Sequence, residues 1–377
     1  MKLNIVRPFL PNISEIQDSF GECLANGMVT NNSAHVRLFE ENLQHYFQSK
    51  HKPLVFNNGE MALFHLIQAW KYKLGASSHE HFGVLVPSFT FSGTINAIVS
   101  NNLKPVFCDI NETLTIDITK VSSEFLKEND VKICLAVGVY GNLPDIELLE
   151  VFCIKNGLIL LFDNAPAFAS TFKGKFPNHY GFDEIYSFHA TKIYNSMEGG
   201  AAIVHDEETY QILSRLREFG QFEKVRGDVD IPGLNSKMQE ISAIVGNKNL
   251  EKIDFILDNR KQNIDKYKPF FSDLETKGFI RNMKVLSEVF CPYLYYPIIL
   301  HEEATQFVKY MEENEIAVRR YYTACHSLTC YKGKYAESSL SFTESIKDNI
   351  VSLPIHTIMN QEEIDYLFNT ISKYFKS

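Results

Sequence analysis

The hydrophobic positions in the first two thirds of the chain follow two alternating patterns. Short, uninterrupted apolar runs are typical of buried parallel strands, and the segments around them repeat apolar residues every three or four positions, as amphipathic helices do. The predicted strands are residues 54–56, 84–86, 105–107, 131–139, 158–162, 183–188 and 201–204. The predicted helices are 14–25, 36–47, 92–99 and 146–154, with a further helix that ends at Leu74. This alternation predicts an α/β fold with a mostly parallel sheet covered by helices.

The pattern changes after a long helical region predicted over residues 236–267. Beyond it, a strand at 293–300 and a helix at 304–314 are typical of a smaller α+β unit. A last helix begins at Asn360, and Glu363 three residues later completes a capping-box sequence. We therefore predict a large domain over residues 1–250 and a small C-terminal domain over residues 251–377.

Composition narrows the class of protein. Of the 377 residues, 45% are hydrophobic and 22% are charged, as in a soluble globular protein. The net charge of −9 argues against nucleic acid as a main partner. The seven cysteines are odd in number, widely spaced and without a CxxC pair, so neither a disulfide framework nor a metal site is predicted. We find no signal-peptide pattern and no apolar run near about 18 residues, and we expect a cytoplasmic protein without a membrane span.

Candidate chemistry lies at the predicted strand ends, where ligands bind in open parallel sheets. Lys192 lies in the loop between strands 183–188 and 201–204. Desolvation disfavours an ammonium, so a buried lysine there becomes a nucleophile, whereas the alternative is a solvated loop lysine. Asp163 directly follows another strand. Gly59 opens a helix whose N-terminus could bind an anion, or it simply forms an ordinary βα turn.

Pyridoxal phosphate (PLP) requires four features that this chain offers together. A lysine must form a Schiff base with its aldehyde, and a carboxylate must keep the pyridine nitrogen protonated. A helix N-terminus and hydroxyls must bind its phosphate, and its ring needs a stacking surface. The candidates are Lys192, Asp163, the Gly59 turn with Ser187, and Phe91. Their order along one alternating pattern predicts PLP as the cofactor.

The chain resembles the DegT family of sugar aminotransferases, which have the fold-type I architecture of PLP enzymes. The resemblance extends from Pro8 to the last helix and is specific in order and spacing. It is carried by residues 57–59, 87–91, 104–107, 139–141, 162–163, 187–192, 198–200 and 233–235. Within the family, the chain is most similar to enzymes that aminate dTDP-4-keto-6-deoxyglucose at C4.

The resemblance implies a role for individual residues. Lys192 would form the Schiff base, Asp163 would pair with the pyridinium, and Phe91 would stack on the ring. The phosphate would be bound by Ser187 and by the backbone at Gly59 and Glu60. Asn235 would reach the phosphate of the neighbouring subunit, which implies an obligate homodimer with shared sites.

The resemblance also implies the reaction. The amino group of L-glutamate would pass to C4 of a nucleotide-linked, dTDP-type 4-keto-6-deoxyhexose used for surface polysaccharide such as O-antigen. Tyr321 and His326 are the expected substrate contacts, although the neighbouring Arg319 and Arg320 could equally be a solvated face. Amination at C3 remains an alternative. A sugar dehydratase of the same fold has histidine in place of Lys192, which argues against that activity.

Three positions depart from the family pattern. Glu60 stands where Thr or Ser is usual, and we expect it to offer its backbone N–H and turn its carboxylate away from the phosphate. Pro166 replaces a side chain that bonds the ring hydroxyl oxygen, and Asn164 could substitute as donor. Gly138 replaces a common histidine, which would enlarge or dry a region near the sugar. Glu60 and Pro166 together leave open a catalytically weakened or non-catalytic relative.

Overall fold

The computed structural model describes residues 2–75, 81–221 and 228–376. The strands in this part of the chain are β1 (Leu54–Phe56), β2 (Gly83–Pro87), β3 (Lys104–Cys108), β4 (Val131–Val137), β5 (Ile159–Asp163), β6 (Thr171–Phe172), β7 (Asp183–Ser187), β8 (Gly200–Ile203), β9 (Ile280–Asn282), β10 (Val289–Phe290), β11 (Tyr296–Leu300) and β12 (Ile350–Leu353). The helices are α1 (Ile13–Asn26), α2 (Ala34–Phe47), α3 (Gly59–Lys73), α4 (Ser92–Ser100), α5 (Ser123–Glu128), α6 (Ile146–Asn156), α7 (Glu207–Arg217), α8 (Glu240–Leu250), α9 (Ile253–Thr276), α10 (Thr305–Glu313), α11 (Ser341–Ile346) and α12 (Gln361–Tyr374).

The central sheet of the described chain has seven strands in the order β1-β8-β7-β5-β4-β2-β3. Strands β3, β2, β4, β5 and β7 are parallel, and β8 runs antiparallel between β7 and β1. Alternate residues enter the cores on opposite faces: Val84 and Val86 pack with Leu66 of α3, whereas Leu85 packs on the other side. Because both faces are covered, the strands read as the continuous apolar runs seen in the sequence.

A second sheet lies in the C-terminal part of the chain, which follows α8. Within the described residues it has three antiparallel strands, with β11 between β12 and β9. Helices α9 and α12 pack together through the stacked rings of Phe270 and Phe368, whose centroids are 4.1 Å apart. The start of the chain also joins this part, because Leu3 pairs with Ile316. The division at residue 250 remains a prediction. The first residues of the chain are attached to the C-terminal part by this pairing.

Most predicted element ends differ from the observed ones by one or two residues, and three differences have an evident local cause. The long helix predicted over residues 236–267 is two helices, α8 and α9, because Lys252 leaves helical geometry at φ −109° and ψ 16°. No Gly or Pro marks this break in the sequence. The strand predicted to begin at Tyr293 begins at Tyr296, since Tyr293 has a left-handed φ of 51° and its carbonyl accepts from Arg260. The fourth strand ends at Val137, two residues early, before a 3-10 turn.

Among residues 2–75, 81–221 and 228–376, no helix is long and apolar enough to cross a membrane. No group of three or more His, Cys, Asp or Glu side chains in these ranges could hold a metal ion. All the cysteines fall in the described ranges and are unpaired, and Cys330 is the exposed one.

Candidate active site

A cavity of about 340 Å³ opens at the carboxyl ends of the parallel strands. The sequence-predicted residues that line it are Gly59, Glu60, Phe91, Asp163, Ser187, Lys192 and Tyr321. Asn235 and His326 do not line it. The parallel sheet explains this convergence, because β2, β5 and β7 all end at the same edge and release their following residues there.

One end of the cavity is an anion cradle at the start of α3. The side chain of the N-cap residue Asn58 accepts the Met61 N–H at 2.8 Å, which fixes the first turn. A Cβ atom added to Gly59 would lie 2.6 Å from the Cβ of Ser187, so only glycine allows α3 to approach the end of β7 this closely. Gly200 of β8 is equally tight against the backbone of Asn58. Free N–H groups, the helix dipole and the Ser187 hydroxyl therefore converge on one space.

Two acidic side chains also line the cavity beside this cradle. The Glu60 carboxylate carbon lies 3.8 Å from the position that a Cβ of Gly93 would take, so the side chain leans toward the first turn of α4. Glu198 lies 3.4 Å from Nε2 of His189. A phosphate in the cradle would therefore rely on backbone N–H groups and hydroxyls rather than on nearby cationic side chains.

Asp163 and Lys192 line the interior of the cavity. Asp163 ends β5, and its carboxylate accepts the Thr94 hydroxyl at 2.7 Å and the Ala165 N–H at 3.1 Å. Burial raises the pKa of Asp163 even though these hydrogen bonds and the nearby Lys192 oppose the shift. Burial lowers the pKa of Lys192 to about 8, against the opposing effect of Asp163. Lys192 is thus partly a neutral amine near neutral pH, as a nucleophilic lysine must be.

Aromatic rings form the walls. Phe91, the N-cap residue of α4, is 56% exposed, so one face of its ring is free for a ligand. The C-terminal part contributes Tyr295, Tyr321 and Tyr322. Burial raises the pKa of Tyr295 to about 12, so its hydroxyl remains protonated at neutral pH.

Sequence reasoning missed Thr94 and Tyr295. Thr94 follows Phe91 by one helical turn, and this spacing could have suggested that both face the same ligand. Tyr295 carries no such signal, because it lies more than 100 residues beyond Lys192 and reaches the cavity only through tertiary packing.

Asn235 and His326 lie elsewhere in this chain. Asn235 is exposed and pairs through its backbone with Glu218 at the end of α7. The His326 ring is held between Ser88 and Glu344, with Nδ1 2.6 Å from the Ser88 hydroxyl and Nε2 2.8 Å from a Glu344 oxygen. The structure therefore gives His326 protein partners on both ring nitrogens.

The packing contradicts one of the two alternatives for Gly138 and the expectation for Asn164. Gly138 does not enlarge a sugar pocket, because a Cβ there would lie 2.6 Å from Ala167 and 2.8 Å from the Asn164 side-chain oxygen. The space that a larger side chain would need is already filled. Asn164 is also not positioned as a substitute donor, since it is fully buried and its amide nitrogen donates to Glu184 at 2.7 Å. Pro166 does line the cavity.

Comparison with known proteins identifies the family. The chain belongs to the DegT/DnrJ/EryC1/StrS aminotransferase family, whose sequence profile matches residues 12–372. It is 29% identical over 372 residues to an Escherichia coli dTDP-4-amino-4,6-dideoxy-D-glucose transaminase, covering 95% of both chains. It is 26% identical over 359 residues to a Vibrio cholerae GDP-perosamine synthase, covering 94% of both. The structure of Helicobacter pylori PseC, an aminotransferase of pseudoaminic acid biosynthesis, has the same fold, with a TM-score of 0.88 at 23% identity over the full length of both chains.

The family and these neighbours confirm the predicted class. The chain is a PLP-dependent sugar aminotransferase with a fold-type I architecture. The residues present fit the cofactor. Gly59 and Glu60 bring the N-terminal backbone N–H groups of α3 to the cavity, where a phosphate can bind, and a protonated pyridine nitrogen would give the desolvated Asp163 carboxylate a cationic partner. Lys192 faces the same cavity as an amine that can be neutral.

Proposed function

We propose that this chain transfers the amino group of L-glutamate to C4 of a dTDP-linked 4-keto-6-deoxyhexose, in the cytoplasm, to supply surface polysaccharide such as O-antigen. The observation that carries the proposal is that the half-buried Lys192 and the buried Asp163 line one aromatic-walled cavity. The name of the Escherichia coli relative supports the dTDP-linked sugar and amination at C4. The Vibrio cholerae relative is named for a GDP-linked product, so the nucleotide must be tested directly.

The geometry supports a role for each of the cavity residues. Bound PLP supplies an aldehyde that amines attack and a ring that withdraws electrons. Lys192 offers the amine that anchors this aldehyde, and when an incoming amine displaces it, its Nζ is free to accept and return a proton. Asp163, oriented by Thr94 and the Ala165 N–H, keeps a proton on the ring nitrogen. The tyrosines of the C-terminal part exclude water from the reacting groups.

A weakened catalyst is the second candidate, and specific contacts favour considering it. Pro166 lines the cavity without a donor, and the Asn164 amide is committed to Glu184. The ring hydroxyl oxygen would therefore lack a hydrogen bond from this loop. Losing one such bond costs roughly 0.5–1.5 kcal/mol, at most about tenfold in rate, so slow turnover is compatible with the same reaction.

We also propose a homodimer with shared sites. Asn235 is exposed and lies outside the cavity of its own chain, as expected for a residue that serves the neighbouring site. The N-terminal region exposes large apolar side chains that a subunit interface would bury, namely Leu10, Ile13, Leu24, Met28, Val29 and Leu38. These residues fall in one N-terminal stretch of the sequence, and an apolar surface that a partner covers is what a subunit interface requires.

The first experiment is an absorbance spectrum of purified protein with added PLP, before and after borohydride. We expect a visible band that borohydride removes and that Lys192→Ala lacks. Lys284→Ala, which changes an exposed lysine, is the control and should keep the band. No band in the native protein would refute aminotransfer and support the non-catalytic alternative.

The sugar is then identified with the loaded enzyme and L-glutamate. The dTDP-, GDP- and UDP-linked 4-keto-6-deoxyhexoses are compared as acceptors, and the product is examined by NMR to locate the new amine. We expect the dTDP-linked sugar to react fastest and to carry the amine on C4. A preference for another nucleotide, or an amine on C3, would contradict the substrate proposal while leaving the reaction class intact.

A further inference from the structure

A chain of three side chains joins the C-terminal part to the loop that carries Phe91. His326 lies in a 3-10 turn at Cys325–Ser327, and its ring bridges Ser88, the residue after β2, and Glu344 of α11. Ser88 is fully buried. Although Ser, His and Glu resemble a hydrolytic triad, a substrate could not reach this hydroxyl, so the chain serves position rather than nucleophilic attack.

The direction of the hydrogen bonds follows from the acceptor at one end. An ionised Glu344 can only accept, so the Nε2–H of His326 donates to it. Nδ1 of the neutral ring is then an acceptor, and the Ser88 hydroxyl donates to it. Each of the three groups thereby has a defined role, and the tautomer of His326 is set by Glu344.

Backbone contacts continue the same connection. The Cys325 N–H donates to the Ser88 carbonyl at 2.7 Å, and the Cys325 thiol donates to the Thr90 carbonyl at 3.2 Å. Phe89 forms an isolated antiparallel bridge with Ala324. The segment 321–326 is thus joined along its length to the loop 88–91, and both segments line the cavity at their ends, through Tyr321 and Phe91.

Helix α11, which carries Glu344, is anchored in the core. Asp109, which is fully buried just after β3, accepts the N–H groups of Phe342 and Thr343 at 2.9 and 2.8 Å. Helix α11 is therefore fixed to the central sheet, and it presents Glu344 to His326. The position of His326 is determined from the core on both sides.

We propose that His326 is a positioning residue, not a substrate contact: through Ser88 and Glu344 it clamps segment 321–326 to loop 88–91 and so holds Phe91 and Tyr321 at their places in the cavity. This role replaces the substrate contact expected from the sequence. Its consequence for PLP binding rests on the proposed function, whereas the clamp itself does not.

The clamp is tested first in the cofactor-free protein by hydrogen–deuterium exchange. We expect Ser88→Ala and Glu344→Ala each to raise exchange in peptides covering 88–91 and 321–328 together. The matched control is Lys347→Ala, which removes the other partner of Glu344, at 2.9 Å, without touching His326. Should exchange rise in neither peptide, or in one alone, the clamp is wrong. The Glu344 side chain is half-exposed, so Glu344→Ala is expected to fold and remains informative if Ser88→Ala does not fold.

The second measurement is the dissociation constant of PLP for the same variants. We expect both clamp variants to bind PLP about three- to tenfold more weakly, as for the loss of one hydrogen bond, while Lys347→Ala is unchanged. Lower melting temperatures with an unchanged dissociation constant would show that the Ser88–His326–Glu344 contacts only stabilise the fold. That result would overturn the positioning role. If the native protein binds no PLP, the proposed function fails, and the exchange data still decide the clamp.

Discussion

At the residue scale, burial decides the protonation of Lys192 and Asp163 more than their attraction for each other does. Burial favours the neutral form of both groups, lowering the pKa of Lys192 to about 8 and raising the pKa of Asp163. Their mutual attraction opposes both shifts. The amine of Lys192 is therefore partly deprotonated near neutral pH, and the Asp163 carboxylate beside it is not neutralised by an ion pair. Such an arrangement is typical of sites that exchange protons with a ligand.

The pH dependence of PLP loading follows from this pair. Only the neutral amine attacks an aldehyde, so the rate of visible-band formation in cofactor-free protein should rise through pH 8 and level off above it. Asp163→Asn removes the charge that raises the pKa of Lys192, and should shift the midpoint to lower pH. Stopped-flow absorbance measures both, with N-acetyl-lysine methyl ester as the control for titration of PLP itself. A rate independent of pH between about 6.5 and 9.5 would contradict the assignment of Lys192.

The sequence reveals a site residue when its position relative to a strand end is enough to place it. Lys192, Asp163 and Ser187 lie at or after predicted strand ends, and the parallel sheet brings all three to one edge. Asn164 was misjudged, because the next residue along a strand end points to the opposite side, where Glu184 binds it. Tyr295 was missed because only the packing of the C-terminal part brings it to the cavity.

At the element scale, α11 depends on one buried carboxylate. The helix has only six residues, and Asp109 accepts its first N–H groups together with the Thr343 hydroxyl and the Lys120 ammonium. Burial alone would raise the pKa of Asp109, but Lys120 and these hydrogen bonds hold it below its ordinary value. The stabilisation is therefore present above the unfolded pKa near 4 and is lost as the pH falls through the lower folded value.

Asp109→Asn tests this dependence. The amide loses the ion pair with Lys120 and sets a donor against other donors, so we expect the free energy of unfolding to fall by roughly 2–4 kcal/mol. Urea denaturation at pH 7 gives this value. Asp145→Asn is the matched control, because Asp145 caps α6 through a single N–H of Leu148 at 3.0 Å and should cost less than about 1 kcal/mol. Equal losses for the two variants would show that Asp109 does no more than an ordinary cap.

Element types were easier to predict than their ends. The strands β2, β4 and β5 were evident as apolar runs because helices cover both faces of the sheet. The break between α8 and α9 was not, since α8 is buried around its circumference and gives way to an amphipathic helix without a Gly or Pro. Where a helix stops is decided there by packing, which one sequence does not display.

At the scale of the whole molecule, one chain supplies most of a site. The cavity is lined by Lys192, Asp163, the Gly59 turn and the aromatic walls. Its charged lining, however, includes Glu60 and Glu198 beside the cradle, and Asn235 lies on the exposed surface. A second copy that brought Asn235 to the cradle would add a neutral donor where this chain offers carboxylates, which is the physical argument for shared sites.

Mixing two defective variants tests this arrangement. Lys192→Ala cannot anchor PLP, and Asn235→Asp should weaken phosphate binding by placing a carboxylate beside it. If Asn235 serves the partner's site, co-refolded subunits form mixed dimers in which one site has both defects and the other has neither. At limiting PLP, random mixing would then restore about a quarter of the native visible absorbance, although each variant alone gives almost none.

The mixing experiment has a control and a result that would contradict shared sites. Mixing Lys192→Ala with native subunits under the same conditions gives the absorbance expected from dilution alone. Should the mixture of the two defective variants stay without a band while size-exclusion chromatography shows that mixed dimers have formed, Asn235 acts within its own chain or not at all. In that event the phosphate would be bound by Gly59 and Ser187 of a single subunit, and dimerisation would have to be explained by the exposed apolar side chains alone.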